Sequence, residues 1–453
     1  MKNIQIILLT LAMTVNVAVM GETKQSVPYA DIVKNITGAK RPESKAESLR
    51  AFGAKGDGAS DCKPAFDKAM RKAKKAGGLH LRVPQGTYYI KGPINMESNV
   101  WIELEQGAVL KFSPDPKHYP TVSTSWEGTF VMNYSPFIRG YEVENVTISG
   151  DGLIDGNAMT TFSTWRALQE NDKQESRRMN HDRTPLSERR FGEGHYLRPQ
   201  LIQFYNSRAI TIEGVSITNS PFWCIHLLRS DNIVCRGLKY NAKLVNNDGI
   251  DPESSSNILI EDIDFDNGDD NVAIKSGRDD DGRSDGRPSE NIIIRKCRFK
   301  GLHGVVIGSE MSGGVRNVWV DSCTASGYCK RGIYIKTNPD RGGYVRNINV
   351  TNTTFEDVED LYLATSQYAG EGKDNHYFSE IDGLTVNGLS CKKAKRGGLI
   401  LDGTETEPIR NVAFRHVTID ETPIGISFNR TEGIILQDCN IGGRIESAPT
   451  LAK

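Results

Sequence analysis

The sequence predicts an all-β chain wound as a parallel β-helix, and three observations carry that prediction. A short unit, [NSG]-[IV]-x-[IV] with a polar pair and a second short strand, keeps returning: ENVTISGDGLIDG, RAITIEGVSITNS, SNILIEDIDFDNG, ENIIIRKCRFKG and RNVAFRHVTIDE. Its anchors Ala209, Asn232, Asn257, Asn291, Asn317 and Asn347 follow one another at nearly even steps, and the step is that of a solenoid. Within the units apolar residues alternate, as in Val146 and Ile148 or Ile210 and Ile212, whereas a helical solenoid needs the i, i+3, i+4, i+7 pattern. The LxxLxLxxN pattern of leucine-rich repeats is absent. Asparagine at repeated corners suits turns with unusual backbone angles, where side-chain amides can stack from rung to rung.

The elements follow in order. Residues 1–21 read as a signal peptide: a basic start at Lys2, the apolar run IQIILLTLAMTVNVAVMG, and cleavage after Gly21. A membrane anchor is the alternative, but Gln5, Thr10, Thr14 and Asn16 dilute a run already short for a span. The chain is therefore expected to be exported to the periplasm or medium, with no membrane insertion after cleavage. Residues 22–47 read as an N-terminal linker and 48–453 as a single β-helix domain. AFDKAMRKAKKAGG, 65–78, has Phe66, Met70 and Ala73 on one helical face and ends on a glycine pair, predicting a short helix that caps the first rung. The charged segment Thr160 to Arg198 interrupts the repeat; an insertion this long is either a solvated loop or the cover of a functional surface.

With 56 basic and 57 acidic residues, net charge −1, no global field attracts nucleic acid or an anionic membrane. The eight cysteines show no CxxC pair, so no zinc site is expected; Cys323 and Cys329 are the best candidates for a disulfide. RDDDGRSDGR, 278–287, departs from the calcium-loop pattern and reads as a charged loop.

The stretch NNDGIDPESSSNILIEDIDFDNGDDNVAIKSG, 246–277, holds nine carboxylates among strand-like runs. The interval from Asp248 to the pair Asp269-Asp270 is about one rung, and the step from Asp270 to His303 equals the step from His303 to Lys336. The spacing predicts one vertical strip of three carboxyls, an imidazole and an ammonium. Mutual repulsion would keep one carboxyl protonated as an acid while another stays ionised as a base. Glycoside hydrolysis uses this split, and the inverting form leaves room for water between the carboxyls.

At these motifs the chain resembles glycoside hydrolase family 28, the polygalacturonases. The resemblance rests on FGAKGDG, GDGLIDG, NNDGID, GDDNVAIKSGRDDDGR, HGVVIGSEMSGGVRNV and RGIYIKTNPDRGG, which together span most of the chain. It implies a right-handed, pectin lyase-like β-helix and inverting cleavage of α-linked galacturonic acid in pectin, with Asp269 as general acid, Asp248 and Asp270 activating water, and His303 tuning the pair. RDDDGR and GSEMSGG resemble bacterial exo-acting members. Asn246, Lys275, Arg278 and Lys336 are the implied substrate contacts. The family's Arg-Ile-Lys motif reads Tyr334-Ile335-Lys336 here, so the bidentate grip on a carboxylate is missing. Either Arg331 or Lys275 replaces it, or the leaving-side sugar differs and Tyr334 stacks on it. Asn247 stands where the family has threonine, and Leu302 where it has glycine. The expected partner is a pectic poly- or oligosaccharide, with no cofactor or metal. The other readings are a rhamnogalacturonan-directed hydrolase, a calcium-dependent pectate lyase and a non-catalytic glycan-binding β-helix.

Overall fold

The computed structural model describes residues 28–368 and 376–446; the expected signal peptide lies outside them. The chain forms the predicted parallel β-helix. One inward column runs in register through Val146, Ile210, Ile233, Ile258, Ile292, Val318, Ile348, Leu384, Val412 and Ile434. Each member is essentially solvent-free, so alternation along the strand becomes a continuous apolar core along the axis.

The corner asparagines do what the repeat suggested. Asn145, Asn232, Asn257, Asn291, Asn317, Asn347 and Asn411 all have φ between 54° and 57°, a region asparagine tolerates better than most residues. Asn291 donates to Asn257 at 3.0 Å, Asn317 to Asn291 at 3.0 Å and Asn347 to Asn317 at 2.8 Å. The ladder thus offsets part of the conformational cost with stacked hydrogen bonds.

Two helices dress the N-terminal part. Helix α1 (Tyr29–Asn35) belongs to the segment expected as a linker, yet it is docked. Its Ile32 packs with Val234, Leu259 and Ile293 on the outside of the solenoid, and the Thr37 and Gly38 amides donate to Asn232 Oδ1 at 2.8 and 2.9 Å. Helix α2 (Lys63–Ala76) is the predicted cap and buries Ala65, Phe66, Ala69, Met70 and Ala73 against the first rungs.

The Thr160 to Arg198 insertion carries helix α3 (Glu170–His181), and RDDDGRSDGR forms helix α4 (Asp279–Asp285) rather than a loop. Interleaved cations hold α4 in place: Arg341 pairs with Asp279, Arg183 with Asp280 and Arg189 with Asp281. The expected Cys323–Cys329 disulfide is absent. All eight cysteines are buried and free, with Cys323 Sγ near the Ile294 carbonyl and Cys329 Sγ near that of Leu302. Among the described residues no helix is long and apolar enough to cross a membrane.

Candidate active site

The carboxyls meet on one outer face, but not in the order the spacing suggested. Ile250 pairs with Val272, so Asp270, not Asp269, continues the Asp248 column. That column runs on through His303, Arg331 and Asp360. Lys336 is aligned with Gly308 instead; it lies further along the same strand than Arg331, and its Nζ reaches to 3.5 Å from Asp270 Oδ2. The turn that presents Asp269 depends on Gly268, where a Cβ would sit 2.1 Å from the Leu244 carbonyl oxygen.

Neighbouring side chains separate the two adjacent aspartates. Burial opposes ionisation of Asp270, but Lys336 and His303 outweigh it and hold the carboxyl well below the usual range. Asp269 lacks such partners. Burial and the charge of Asp270 push it up to about 7, and its Oδ2 receives only the Asn246 amide, at 3.3 Å. Arg198, itself fully buried, fixes that amide by donating to Asn246 Oδ1 at 2.7 Å. Asn247, in the threonine position, turns inward and donates to the Ser220 and Phe222 carbonyls, so it anchors the loop rather than facing the pocket.

His303 has a defined tautomer. Its Nδ1 lies 2.5 Å from Asp270 Oδ1, and its Nε2 lies 3.2 Å from the Arg331 guanidinium. Arginine can only donate, so Nε2 accepts and Nδ1–H donates to Asp270. Burial lowers the His303 pKa, which favours this neutral form.

Lys275 sits beneath the floor, 3% exposed. Its Nζ lies 3.8 Å from Asp248, 3.6 Å from Asp251 and 3.5 Å from Glu310, and 4.6 Å above the Trp223 ring. Arg278 is committed to Glu310 at 2.6 Å and to the Glu127 carbonyl at 3.0 Å. Both expected substrate contacts line the pocket and also balance buried charge. Burial raises Asp248 and Asp251 well above the usual range.

The pocket over these groups is about 300 Å³; Lys336 and Tyr368 line its far side, and Arg166, Lys173 and Arg177 of the insertion line its near side. Arg177 is tied to Glu127 at 2.9 Å. Arg331 and Tyr334 do not line it. Tyr334 is 5% exposed and lies under Arg331, whose guanidinium is 4.5 Å from the ring centre, so it offers no face to a sugar in the catalytic pocket; both residues belong to a neighbouring groove. Sequence reasoning missed Asp251, Glu310, Arg198 and Tyr368. The first two stood in quoted motifs without a role, and the others gave no local signal.

Comparison with known proteins agrees with this architecture. The family model described as "Glycosyl hydrolases family 28" matches residues 80–434. A probable polygalacturonase of Vitis vinifera is 31% identical over 389 residues, covering 82% of this chain and 74% of that protein. An endo-polygalacturonase of Pectobacterium carotovorum subsp. carotovorum is 27% identical over 369 residues, covering 78% and 83%. The crystal structure of an exopolygalacturonase from Thermotoga maritima superposes with a TM-score of 0.85 at 35% identity, covering 94% of this chain and 99% of that one. With its β-helix and paired carboxyls, the chain is a glycoside hydrolase and belongs to glycosyl hydrolases family 28.

Proposed function

We propose that the protein is an exo-acting polygalacturonase that releases galacturonic acid from pectic chains by single displacement with inversion. One observation carries the chemistry: adjacent carboxyls in opposite environments, Asp270 between His303 Nδ1 and Lys336 Nζ, Asp269 accepting from the Asn246 amide and the Asp270 backbone N–H, with no ion pair among the described residues. Asp269 donates its proton to the glycosidic oxygen as the C–O bond breaks. A water held by Asp248 and Asp270 attacks the anomeric carbon from the opposite face and passes its proton to one of these two carboxylates.

Exo action is supported by the insertion, which enters three strands before Asp270 in the axial stack 202–225–250–272. Its helix α3 brings Lys173 and Arg177 to the N-terminal side of the pocket, as a wall against a longer chain would. The Thermotoga maritima exopolygalacturonase, similar over nearly its whole length, supports the same reading. Tyr334 in place of the motif arginine favours a second reading, a rhamnogalacturonan-directed hydrolase of the same family. Export remains the inference from the N-terminal apolar run.

The test is time-resolved NMR of products from di- and trigalacturonate and from rhamnogalacturonan oligosaccharides, with Asp269→Asn in parallel. Saturated monogalacturonate appearing first as the β-anomer, from wild type alone, is expected. Unsaturated products would replace hydrolysis by elimination; a retained α-anomer would overturn inversion.

A further inference from the structure

The helix that caps the first rung carries more positive charge than its surroundings balance. Helix α2 buries Ala65, Phe66, Ala69, Met70 and Ala73, and Lys68, Arg71 and Lys75, at i, i+3 and i+7, form a stripe on the opposite side. All three are exposed. The cations that flank the stripe are paired: Lys63 with Asp67 at 2.7 Å, Lys72 with Glu47 at 2.6 Å and Lys74 with Glu97 at 3.6 Å. Lys68, Arg71 and Lys75 have no ion-pair partner among the described residues. Helix stability does not explain the stripe. The helix dipole favours cations in the last turn, which holds Lys74 and Lys75 but neither Lys68 nor Arg71. Like charges at i, i+3 and i, i+4, as in Lys68 with Arg71 and Arg71 with Lys75, weaken a helix.

We propose that this stripe is a docking surface for a polyuronate chain, separate from the catalytic cleft. The inference rests on the hydrolase reading above, which makes a pectic polyanion the substrate. Free of methyl esters, such a chain carries one carboxylate per galacturonate, and three cations in a row ~10 Å long, at ~1.5 Å per helical residue, complement a row of carboxylates. The position rules out a subsite of the cleft. Helix α2 packs on the strand at Ile94, and the stack 94–138–202–225–250–272 puts that strand ~24 Å from the catalytic one along the axis, at ~4.8 Å per step. The insertion that walls the pocket enters between them. A sugar in the pocket and a segment on α2 therefore belong to different chains or to distant parts of one chain, and the stripe raises the local concentration of polymer without holding the bond to be cut. An anionic membrane is the poorer partner: an interfacial helix inserts its apolar face, and that of α2 is already buried against the solenoid.

The experiment combines Lys68→Gln, Arg71→Gln and Lys75→Gln in one variant. A control with the same net charge combines Lys239→Gln, Lys296→Gln and Lys392→Gln, three scattered exposed lysines. KM is measured for polygalacturonate and for digalacturonate at low and high salt. Expected is a rise of ~5-fold or more in the polygalacturonate KM of the stripe variant at low salt, shrinking at high salt, with kcat and the digalacturonate KM unchanged and the control like wild type. In parallel, Asp269→Asn proteins with and without the stripe substitutions are run by affinity electrophoresis through gels containing polygalacturonate, where the stripe variant should be retarded less; this readout needs no turnover. Equal retardation and equal polymer KM with and without the stripe, or an equal loss in the control, would overturn the docking surface and leave the hydrolase reading intact. So would binding to phosphatidylglycerol vesicles that the stripe substitutions abolish, with no retardation by polygalacturonate. No cleavage of either substrate by wild type would overturn the hydrolase reading, and the electrophoresis would still decide the stripe.

Discussion

Replacing Lys336 by methionine tests the electrostatic core of the mechanism. Its Nζ lies 3.5 Å from Asp270 Oδ2, and both side chains are largely shielded, 13% and 2% exposed. Two unit charges at that distance interact by ~5 kcal/mol at an effective dielectric of ~20, and ~1.4 kcal/mol corresponds to one pH unit. Removing the cation therefore raises the Asp270 pKa by up to ~3 pH units, less whatever His303 and Lys275 recover. The sign is fixed: Lys336 favours the carboxylate, so without it Asp270 protonates sooner as pH falls. In wild type, whose Asp270 is held well below the usual range, kcat/KM for digalacturonate should stay level down to the lowest pH the fold survives. In Lys336→Met an acid limb should enter the accessible range and shift upward. Methionine keeps most of the volume, so packing changes little. A loss that is uniform across pH, with no acid limb, would refute the reasoning and assign Lys336 to substrate binding alone.

Four further outcomes are expected. Wild-type kcat/KM should fall tenfold per pH unit above about 7, because Asp269 must be protonated to act and is pushed up to about 7; Asp269→Asn should lose ~10²–10⁴-fold in kcat without loss of thermal stability. Arg331→Met removes the donor to His303 Nε2 and a cation that lowers the His303 pKa; Nδ1–H still donates to Asp270, so ¹⁵N shifts should show the imidazolium forming at higher pH than in wild type, and kcat should drop with the disaccharide KM nearly unchanged. Arg177→Ala breaks the tie to Glu127 and loosens the insertion, so products from polygalacturonate should shift from monomer towards longer oligomers. A reductant should leave the melting temperature unchanged, since all eight thiols are free.

The solenoid was legible because its signal is repeated: alternating apolar residues and corner asparagines each recur on many rungs, so errors at single positions average out. The catalytic strip was legible in composition but not in register. Counting one rung from Asp248 led to the pair Asp269-Asp270 without saying which member stacks; the register aligns Asp270 and leaves Asp269 on the turn at Gly268. Equal sequence intervals placed Lys336 above His303, but this rung is 28 residues long from His303 to Arg331, not 33, so Arg331 is the partner. Tyr334 was read as a substrate contact because a sequence shows aromaticity but not that Arg331 already covers the ring. Arg198 and Tyr368 act through contacts with residues distant in sequence, as Arg198 does with Gln169, Pro221, Val245 and Asn246, which leave no local pattern to read.

The density of carboxylates in residues 246–277 finds its explanation in charge balance. Asp248, Asp251, Asp269, Asp270 and Glu310 surround Lys275, Lys336 and Arg278. Even with the buried Arg198 counted the carboxyls outnumber the cations, and a buried cluster with net charge is costly, so protons are retained. Asp270 has His303 and Lys336, and Glu310 has Lys275 and Arg278, which outweigh burial and keep it low. One proton thus falls to Asp269. A proton is also favoured on the Asp248–Asp251 pair, which shares the single ammonium of Lys275. Asp248 Oδ1 and both Asp251 oxygens have no hydrogen-bond partner among the described residues, and burial raises both carboxyls well above the usual range. Hydrolysis then moves a proton from Asp269 to the leaving sugar and another from water to Asp248 or Asp270, so the cluster keeps its charge throughout. Resetting requires only a transfer within the cluster to Asp269, whose carboxyl is already linked to the Asp270 backbone at 3.0 Å. A low-dielectric site can hold so many acids because its chemistry changes where the protons sit but not how many there are.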